Sequence, residues 1–314
     1  MTAAEPTLAA LDLVRIEPHH LVRSQTWAQT VADYWALTKP EVNILIIVTT
    51  LAGFCLGLPS QHHPFPFLLL IHTLLGTLLV AGGTGTLNQY VERRFDAQMR
   101  RTARRPLAAG RLEPSSVLRF GIALSVTGAL YLAVALNALA SLLAVLTLVS
   151  YLFVYTPLKR RTPLCTLAGA FPGAMPPLIG WAAASGRLSP EAWVLYGIVF
   201  LWQLPHFMAI AWMYREDYAR AGYLVLPFGG RRGAFMAWQT LVPGLALVFL
   251  SLTPAFLGHA GVIYLVGALS LSSCFVYYAA CLVVSKSNAA ARRLLFASVV
   301  YLPLVFVLMV IDKV

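Results

Sequence analysis

The sequence predicts an all-α fold, a polytopic membrane protein built as a bundle of about nine transmembrane helices. The 314 residues are 59% hydrophobic and only 11% charged, which is too apolar for an ordinary water-soluble domain. Apolar runs of roughly twenty residues recur along the chain, the length that crosses a hydrocarbon layer about 30 Å thick. The basic residues fall almost entirely between alternate runs, as the topology of a membrane protein requires.

Each predicted helix corresponds to one run of about twenty predominantly apolar residues, bounded by charged or turn-forming residues. In chain order the runs cover residues 42–58, 66–90, 114–135, 138–156, 164–184, 191–213, 234–257, 261–284 and 295–311.

The distribution of Lys and Arg predicts the orientation. With the amino terminus in the cytoplasm, 21 of the 23 basic residues fall in inside segments, and only Arg187 and Lys313 fall outside. This asymmetry follows the positive-inside rule, and nine crossings then place the carboxyl terminus outside. Because the positive charge follows the membrane topology, nucleic acid is not expected as a partner. The protein is predicted to be an integral protein of a bacterial inner membrane.

The chain is predicted to hold one membrane domain, residues 37–314, preceded by a cytoplasmic amino-terminal arm, residues 1–36. The arm contains Glu5, Asp12 and Glu17 and no continuous apolar run. It therefore resembles neither a cleaved signal peptide nor an acid-poor transit peptide.

The fifth span has unusual local chemistry, because residues 169–181, GAFPGAMPPLIGW, combine three prolines with three glycines. Proline removes a backbone donor and bends a helix, which a bilayer tolerates where neighbours or a cavity satisfy the freed groups. The segment is predicted to form a cavity wall or, alternatively, to pack closely through its small residues.

Asn88, Glu92 and Asp96 follow one another at four-residue spacing at the end of the second span. Each step of four turns about 40° around a helix, so the three side chains form one oxygen-bearing stripe. Two carboxylates and an amide suit a hard cation such as Mg²⁺, which leaves coordination positions for water and substrate phosphates. The stripe is the first candidate site.

A similar acidic placement recurs after the sixth span, in residues 213–222, MYREDYARAG, on the same predicted side of the membrane. Ionisable residues at the end of a membrane helix indicate function. The simpler alternative is that Glu92 and Asp96 pair with Arg93, Arg100 or Arg101 in a solvated loop. Four of the twelve acidic residues fall in the two places: Glu92, Asp96, Glu216 and Asp217.

Basic residues close to these acidic residues are suited to bind a diphosphate group. Arg101 and Arg105, within the arginine-rich stretch after the stripe, are candidates to neutralise phosphate oxygens. Lys159 and Arg160 close the fourth span and are candidates to bind the diphosphate from across the bundle. Ordinary anchoring at the membrane surface explains the second pair equally well.

His206 stands eleven residues before Asp217. On one continuous helix the two side chains share a face, with His206 about 16 Å deeper in the membrane. A neutral imidazole at that depth would ligate or hydrogen-bond a large acceptor. A structural histidine hydrogen-bonded near Trp202 and Gln203 is the alternative.

The stripe followed by MRRTARRPLAAGRL resembles the first motif of the UbiA-type intramembrane prenyltransferase superfamily, and more narrowly its branch that farnesylates haem b. The resemblance covers most of residues 36–230. Three further stretches carry it: ALTKPEVN (37–44), YTPLKRRTPLCTLAGAFPGAMPPLIGW (155–181) and WQLPHFMAIAWMYREDYARAGYLVLP (202–227).

The resemblance implies that Asn88, Glu92 and Asp96 hold Mg²⁺ on the diphosphate of farnesyl diphosphate. Asp217 would supply a further metal-binding carboxylate, although it lacks the second Asp of the superfamily's usual Asp-x-x-x-Asp motif, so the number of metal ions stays open. His206 would contact haem b.

The implied reaction moves the farnesyl group to a vinyl group of haem b with addition of water, giving haem O and diphosphate. The lipid bilayer is the implied environment, and haem A synthase or terminal oxidase assembly would receive the product. Alternatives are a sister enzyme with an aromatic acid acceptor such as 4-hydroxybenzoate, a secondary transporter, and a structural membrane subunit. A transporter would place its acids near the membrane midplane rather than at helix ends.

Overall fold

The computed structural model describes residues 26–59, 64–227 and 229–314. Within these ranges the chain forms helices joined by short loops, in agreement with the predicted all-α class. The helices are α1 Trp27–Leu37, α2 Pro40–Gly57, α3 Phe67–Asp96, α4 Pro114–Ala135, α5 Ala138–Leu158, α6 Cys165–Gly173, α7 Met175–Ser185, α8 Pro190–Met213, α9 Arg215–Arg220, α10 Arg231–Phe256, α11 Val262–Ser285 and α12 Asn288–Ile311.

Eight helices of the described part are long and apolar enough to cross a membrane: α2, α3, α4, α5, α8, α10, α11 and α12. The fifth predicted span, residues 164–184, is present as α6 and α7, two short helices that meet at Ala174. Pro176 and Pro177 stand in the first turn of α7, where a missing backbone N–H costs little. The prediction of about nine membrane helices is confirmed, with one of them interrupted.

The bundle is built from two groups of helices. In the first group α3 packs along α4, and α2 packs along α7. In the second, α8 packs against α10 and α12, while α11 contacts both of these helices. Contacts between α2 and α12 join the groups, so α2 and α8 both face the middle of the bundle.

Small residues let α2 and α7 approach closely. A Cβ added to Gly53 would overlap the backbone carbonyl oxygen of Pro177, and one on Gly180 would overlap that of Thr50. Pro176, on another side of α7, lines the central cavity. The two functions predicted as alternatives for the proline and glycine segment, close packing and a cavity wall, therefore occur together on different sides of it.

The prediction that His206 and Asp217 share one helix face is wrong. Helix α8 ends at Met213, and Tyr214 has φ −107° and ψ 21°, which ends the α-helical path before α9 begins. The physical reason lies in the next residues, since the carboxylates of Glu216 and Asp217 stand in the first turn of α9, where they favour a new helix amino terminus.

Substitution of Gly180 by Ala is expected to destabilise the protein, by about 2–3 kcal/mol, because the new methyl group meets rigid backbone. The matched control is Gly230→Ala, where an added Cβ meets no atom within 4 Å. Thermal unfolding of the two detergent-purified variants measures the difference. If both unfold at the temperature of the wild type, the α2–α7 contact is looser than described.

Candidate active site

The stripe of Asn88, Glu92 and Asp96 lies on the last turns of α3, as the four-residue spacing predicts. All three side chains are buried, and none is more than 4% exposed. Charged groups removed from water require partners, because desolvation of an unpaired charge is costly. The stripe is therefore part of the protein interior. The alternative, in which Glu92 and Asp96 pair with arginines in a solvated loop, is wrong.

The Glu92 carboxylate pairs with Lys159, which follows the last turn of α5. The Lys159 Nζ donates to both carboxylate oxygens, at 2.8 and 3.0 Å. The same ammonium lies 4.6 Å from the centre of the Tyr155 ring. Burial is the largest single effect and opposes the charge of Lys159, but the Glu92 carboxylate, with smaller contributions from Tyr155 and Tyr151, raises the pKa of Lys159 well above its usual value.

Asn88 is held by Lys39, a residue that sequence reasoning did not single out. The Lys39 Nζ donates to Asn88 Oδ1 at 2.7 Å, and Asn88 Nδ2 donates to Thr156 Oγ1 at 3.3 Å. Burial, with a smaller contribution from Arg105, lowers the pKa of Lys39 to about 7. The sequence signal that could have indicated it is the position of this lysine directly before Pro40, the first residue of α2.

Lys39 has a left-handed backbone, with φ 56° and ψ 59°. A side chain with a Cβ rarely adopts this conformation, and Pro40 further restricts the residue before it. Gln89 Nε2 on α3 donates to Leu37 O at 3.0 Å and helps hold the joint between α1 and α2. Such strain persists where the surroundings fix it, and it is typical of functional sites.

Asp96 completes the stripe with one bound and one free oxygen. Arg105 donates to Asp96 Oδ2 at 2.7 Å, and Thr102 Oγ1 donates to the Asp96 backbone carbonyl at 2.8 Å. Asp96 Oδ1 is buried and has no hydrogen-bond partner. A buried carboxylate oxygen without a donor is suited to a ligand or a cation.

Asp217 is connected to the stripe by the loop that follows α3. Its carboxylate accepts from the Arg101 backbone N at 3.3 Å and pairs with Arg220 at 3.2 Å. Asp217 is buried, whereas the Glu216 side chain is 82% exposed. Of the two acids predicted in this segment, only Asp217 is buried and contacts the loop that follows α3.

The four predicted phosphate-binding bases divide into two pairs. Arg105 and Lys159 contact the stripe directly. The side chains of the other two lie against aromatic rings, with Arg101 5.0 Å from the centre of Tyr214 and Arg160 4.5 Å from that of Phe95.

A cavity of about 260 Å³ begins beside the stripe and continues into the apolar middle of the bundle. At the stripe end it is lined by Lys39, Tyr151 and Tyr155, and farther in by Trp202 and His206. The cavity thus joins a cationic mouth to an apolar interior.

His206 lines this cavity from α8. Its Nδ1 is 2.7 Å from Ser298 Oγ on α12, and its ring stacks on Trp202 with the centres 4.9 Å apart. The predicted structural role, a hydrogen-bonded histidine, is therefore present together with access to the cavity.

The donor chemistry of the stripe fits Mg²⁺, since carboxylate and amide oxygens are the ligands this ion takes in proteins. The partner-free Asp96 Oδ1 supports the fit. Within the described residues no group of three or more His, Cys, Asp or Glu side chains is close enough to hold a metal. Glu92 and Asp96 instead contact cationic side chains. These cations can also donate hydrogen bonds to phosphate oxygens in place of the carboxylates.

The family model described as the UbiA prenyltransferase family matches residues 46–300. The chain therefore belongs to this family. Its relatives include a protoheme IX farnesyltransferase of Solibacter usitatus, 48% identical over 90% of this chain and 98% of the relative. A second, from Koribacter versatilis, is 42% identical over 91% of this chain and 94% of the relative.

Solved structures with low sequence identity share the fold. A structure described as digeranylgeranylglyceryl phosphate synthase aligns with TM-score 0.70 and 16% identity, over 90% of this chain and 98% of that one. A UbiA homologue from Archaeoglobus fulgidus, bound to GPP and Mg²⁺, aligns with TM-score 0.61 and 16% identity over 88% of this chain and 99% of that one. The fold class inferred from the sequence is confirmed.

Replacing Lys159 by Met is expected to destabilise the protein by about 3 kcal/mol, because it leaves the buried Glu92 carboxylate unpaired. The double variant Lys159→Met with Glu92→Gln removes both charges and is expected to recover most of that loss. Thermal unfolding of both single variants and the double variant measures the coupling. Arg187→Met, at the opposite end of the bundle, is the control; additive losses in the double variant would show that the pair is not coupled.

Proposed function

We propose that the protein transfers the farnesyl group of farnesyl diphosphate to a vinyl group of haem b. The C–O bond to diphosphate breaks, and a C–C bond forms between the farnesyl carbon and the terminal vinyl carbon. Water adds to the resulting cation and loses a proton, giving the hydroxyl group of haem O. The observation that carries the proposal is that Lys39, which donates to Asn88 of the buried stripe, also lines a largely apolar cavity, in a chain 48% identical to a protoheme IX farnesyltransferase.

The stripe supplies the binding site for the diphosphate. Three basic side chains contact the stripe: Lys39, Lys159 and Arg105. When the substrate binds, their N–H groups donate to the phosphate oxygens instead of the side-chain oxygens of Asn88 and the two acids. Stabilising the charge that develops on the leaving diphosphate promotes ionisation of the allylic C–O bond.

The freed oxygens of Asn88, Glu92 and Asp96, with Asp217 nearby, are the proposed Mg²⁺ ligands. When bound, Mg²⁺ supplies Lewis-acid stabilisation of the departing diphosphate. The Archaeoglobus fulgidus homologue with GPP and Mg²⁺ supports this assignment by its fold. Arg101 and Arg160 lie farther out and are proposed to guide the anionic head group toward the stripe.

The cavity then protects the farnesyl cation. Tyr151 and Tyr155 line it next to the stripe, and aromatic faces stabilise a desolvated cation. The apolar walls exclude water until the C–C bond has formed, which prevents hydrolysis to farnesol.

The acceptor is proposed to approach from the lipid. Val42 of α2 lines the cavity and is 57% exposed, which supports entry beside this helix. Haem b is apolar over most of its surface and partitions into the bilayer. His206 lines the same cavity and is the proposed contact for the haem.

The end of the bundle that holds the stripe is proposed to face the cytoplasm. Among the described residues, Arg187 and Lys313 are the basic residues at the opposite end, and the others follow the positive-inside distribution. A bacterial inner membrane is the proposed location, with the amino terminus inside and the carboxyl terminus outside. The product would pass to haem A synthase or to terminal oxidase assembly.

Conservative neutralisation of the stripe is expected to remove transfer without unfolding the protein. Asp96→Asn and Glu92→Gln should each lower the rate of haem O formation at least about 100-fold, because charge stabilisation in the transition state is lost. The control is Glu113→Gln, an exposed carboxylate near the same end of the bundle. Mass spectrometry of haems extracted from a host without haem O synthesis measures the product.

Each outcome of this experiment separates the proposal from its alternatives. Haem O from the wild type and from Glu113→Gln, with little from the two stripe variants, supports the proposal. A well-inserted wild type that yields no haem O, but prenylates 4-hydroxybenzoate, would instead identify an aromatic acid prenyltransferase. Full activity in the Asp96 and Glu92 variants would exclude the stripe as the catalytic site.

Removal of Mg²⁺ is expected to abolish turnover. Purified protein treated with EDTA should show no diphosphate release from farnesyl diphosphate in the presence of haem b, and added Mg²⁺ should restore it. The measurement is a coupled assay for released diphosphate. Undiminished release after chelation would exclude the metal-dependent form of the mechanism.

A further inference from the structure

Ser298 on α12 makes three hydrogen bonds around the cavity histidine. Its Oγ is 2.7 Å from His206 Nδ1, and the same Oγ donates to Leu295 O at 2.5 Å. Its backbone carbonyl accepts from Trp202 Nε1 at 2.8 Å. Ser298 is fully buried, with 0% exposure. Ser298 therefore holds both the imidazole of His206 and the indole of Trp202, which stack on each other.

The hydrogen-bond pattern fixes the tautomer of His206. A serine hydroxyl carries one hydrogen, and a backbone carbonyl only accepts, so that hydrogen belongs to the bond with Leu295 O. Toward His206 the Ser298 Oγ can then only accept, and His206 Nδ1 must donate. In the neutral imidazole the other nitrogen, Nε2, consequently carries the lone pair.

The surroundings of the His206 ring leave its Nε2 as the nitrogen that can bind a ligand. Nδ1 is occupied by Ser298, and the ring faces are restricted by Trp202, which stacks on it, and Phe207, whose ring is 5.9 Å away. His206 lines the cavity that begins at Lys39. An unprotonated nitrogen on a ring with fixed orientation is suited to bind a metal ion or to accept a proton.

We propose that Ser298 is a positioning residue that holds His206 with its Nε2 lone pair toward the cavity, where it binds the iron of the haem substrate as an axial ligand. This inference rests on the proposed function. A metal-binding histidine commonly donates its other ring N–H to a fixed acceptor, which sets the tautomer and the ring orientation. The contacts of Ser298 meet that requirement.

Axial binding would suit the reaction, because it holds the haem through its iron and leaves the vinyl groups at the porphyrin edge free. Imidazole nitrogen is a common ligand of haem iron. Tyr155 and Lys39 line the same cavity as His206, so the acceptor would be held in the space that the farnesyl cation enters. The reaction at the vinyl group leaves the iron ligand unchanged.

The test is haem binding by the purified full-length protein without farnesyl diphosphate, followed by absorption and electron paramagnetic resonance spectra of the ferric haem. The wild type should show a nitrogen-ligated spectrum. His206→Gly should lose it and regain it with added imidazole. Ser298→Ala should weaken haem affinity about 10- to 100-fold, the usual effect of removing a group that orients a metal ligand.

Ser251→Ala is the matched control. Its hydroxyl is also fully buried, but it lies 2.7 Å from Tyr301 OH and makes no contact with His206. The control should lose stability without changing the haem spectrum or affinity. A spectrum unchanged in His206→Gly, or an affinity unchanged in Ser298→Ala, overturns the inference.

A parallel assay of haem O formation separates this inference from the proposed function. If the wild type makes haem O but its iron ligation does not depend on His206, the axial-ligand inference fails alone. If the wild type makes no haem O, the proposed function fails, and with it the identification of haem as the ligand of His206.

Discussion

The structure depends on one constraint, the need to neutralise charge that is buried at one end of a membrane bundle. Glu92 and Asp96 stand on α3 out of contact with water, and each is paired with a base from another part of the chain. Lys159 ties the end of α5 to α3, and Arg105 folds the following loop back onto it. The same pairs that stabilise the fold also assemble the cations that the proposed diphosphate substrate requires, so on that proposal stability and substrate binding depend on the same atoms.

The second constraint is that polar backbone groups in a bilayer need partners, and it accounts for where the helices are irregular. The turns of α5 that precede Lys159 are π-helical, Ser150–Tyr155, and they place Tyr151 and Tyr155 on the cavity. Such π-helical turns are frequent at functional sites. The break at Ala174 between α6 and α7 also lies beside the cavity, where Gly173 and Pro176 form part of the wall. Both irregular stretches thus border the cavity, where such backbone is tolerated.

The comparisons separate what the fold shares from what the sequence specifies. Solved structures only 16% identical align over most of the chain, so the bundle tolerates almost complete change in its residues. The Solibacter usitatus and Koribacter versatilis relatives are 48% and 42% identical over 98% and 94% of their length. On the proposed function, the contacts of His206 with Trp202 and Ser298 would serve the acceptor, whereas the stripe on α3 would serve the diphosphate.

The sequence by itself determined the helical membrane class, the positions of the spans and the stripe of Asn88, Glu92 and Asp96, because helix period and hydrocarbon thickness are local properties. It did not reveal Lys39, since its contact with Asn88 joins residues far apart in the chain. Local spacing also gave the wrong relation between His206 and Asp217, because a single non-helical residue, Tyr214, redirects the chain.

Only the tertiary structure decided which bases reach the acids. The four predicted bases were equivalent in charge and predicted position. In the structure, Lys159 and Arg105 contact the stripe. The side chains of Arg101 and Arg160 instead lie on aromatic rings. The partner of His206 on α12 was likewise undetermined, because nothing local relates residues 206 and 298. Pairing across a bundle depends on which helices are neighbours, and the hydropathy of the individual spans does not encode that arrangement.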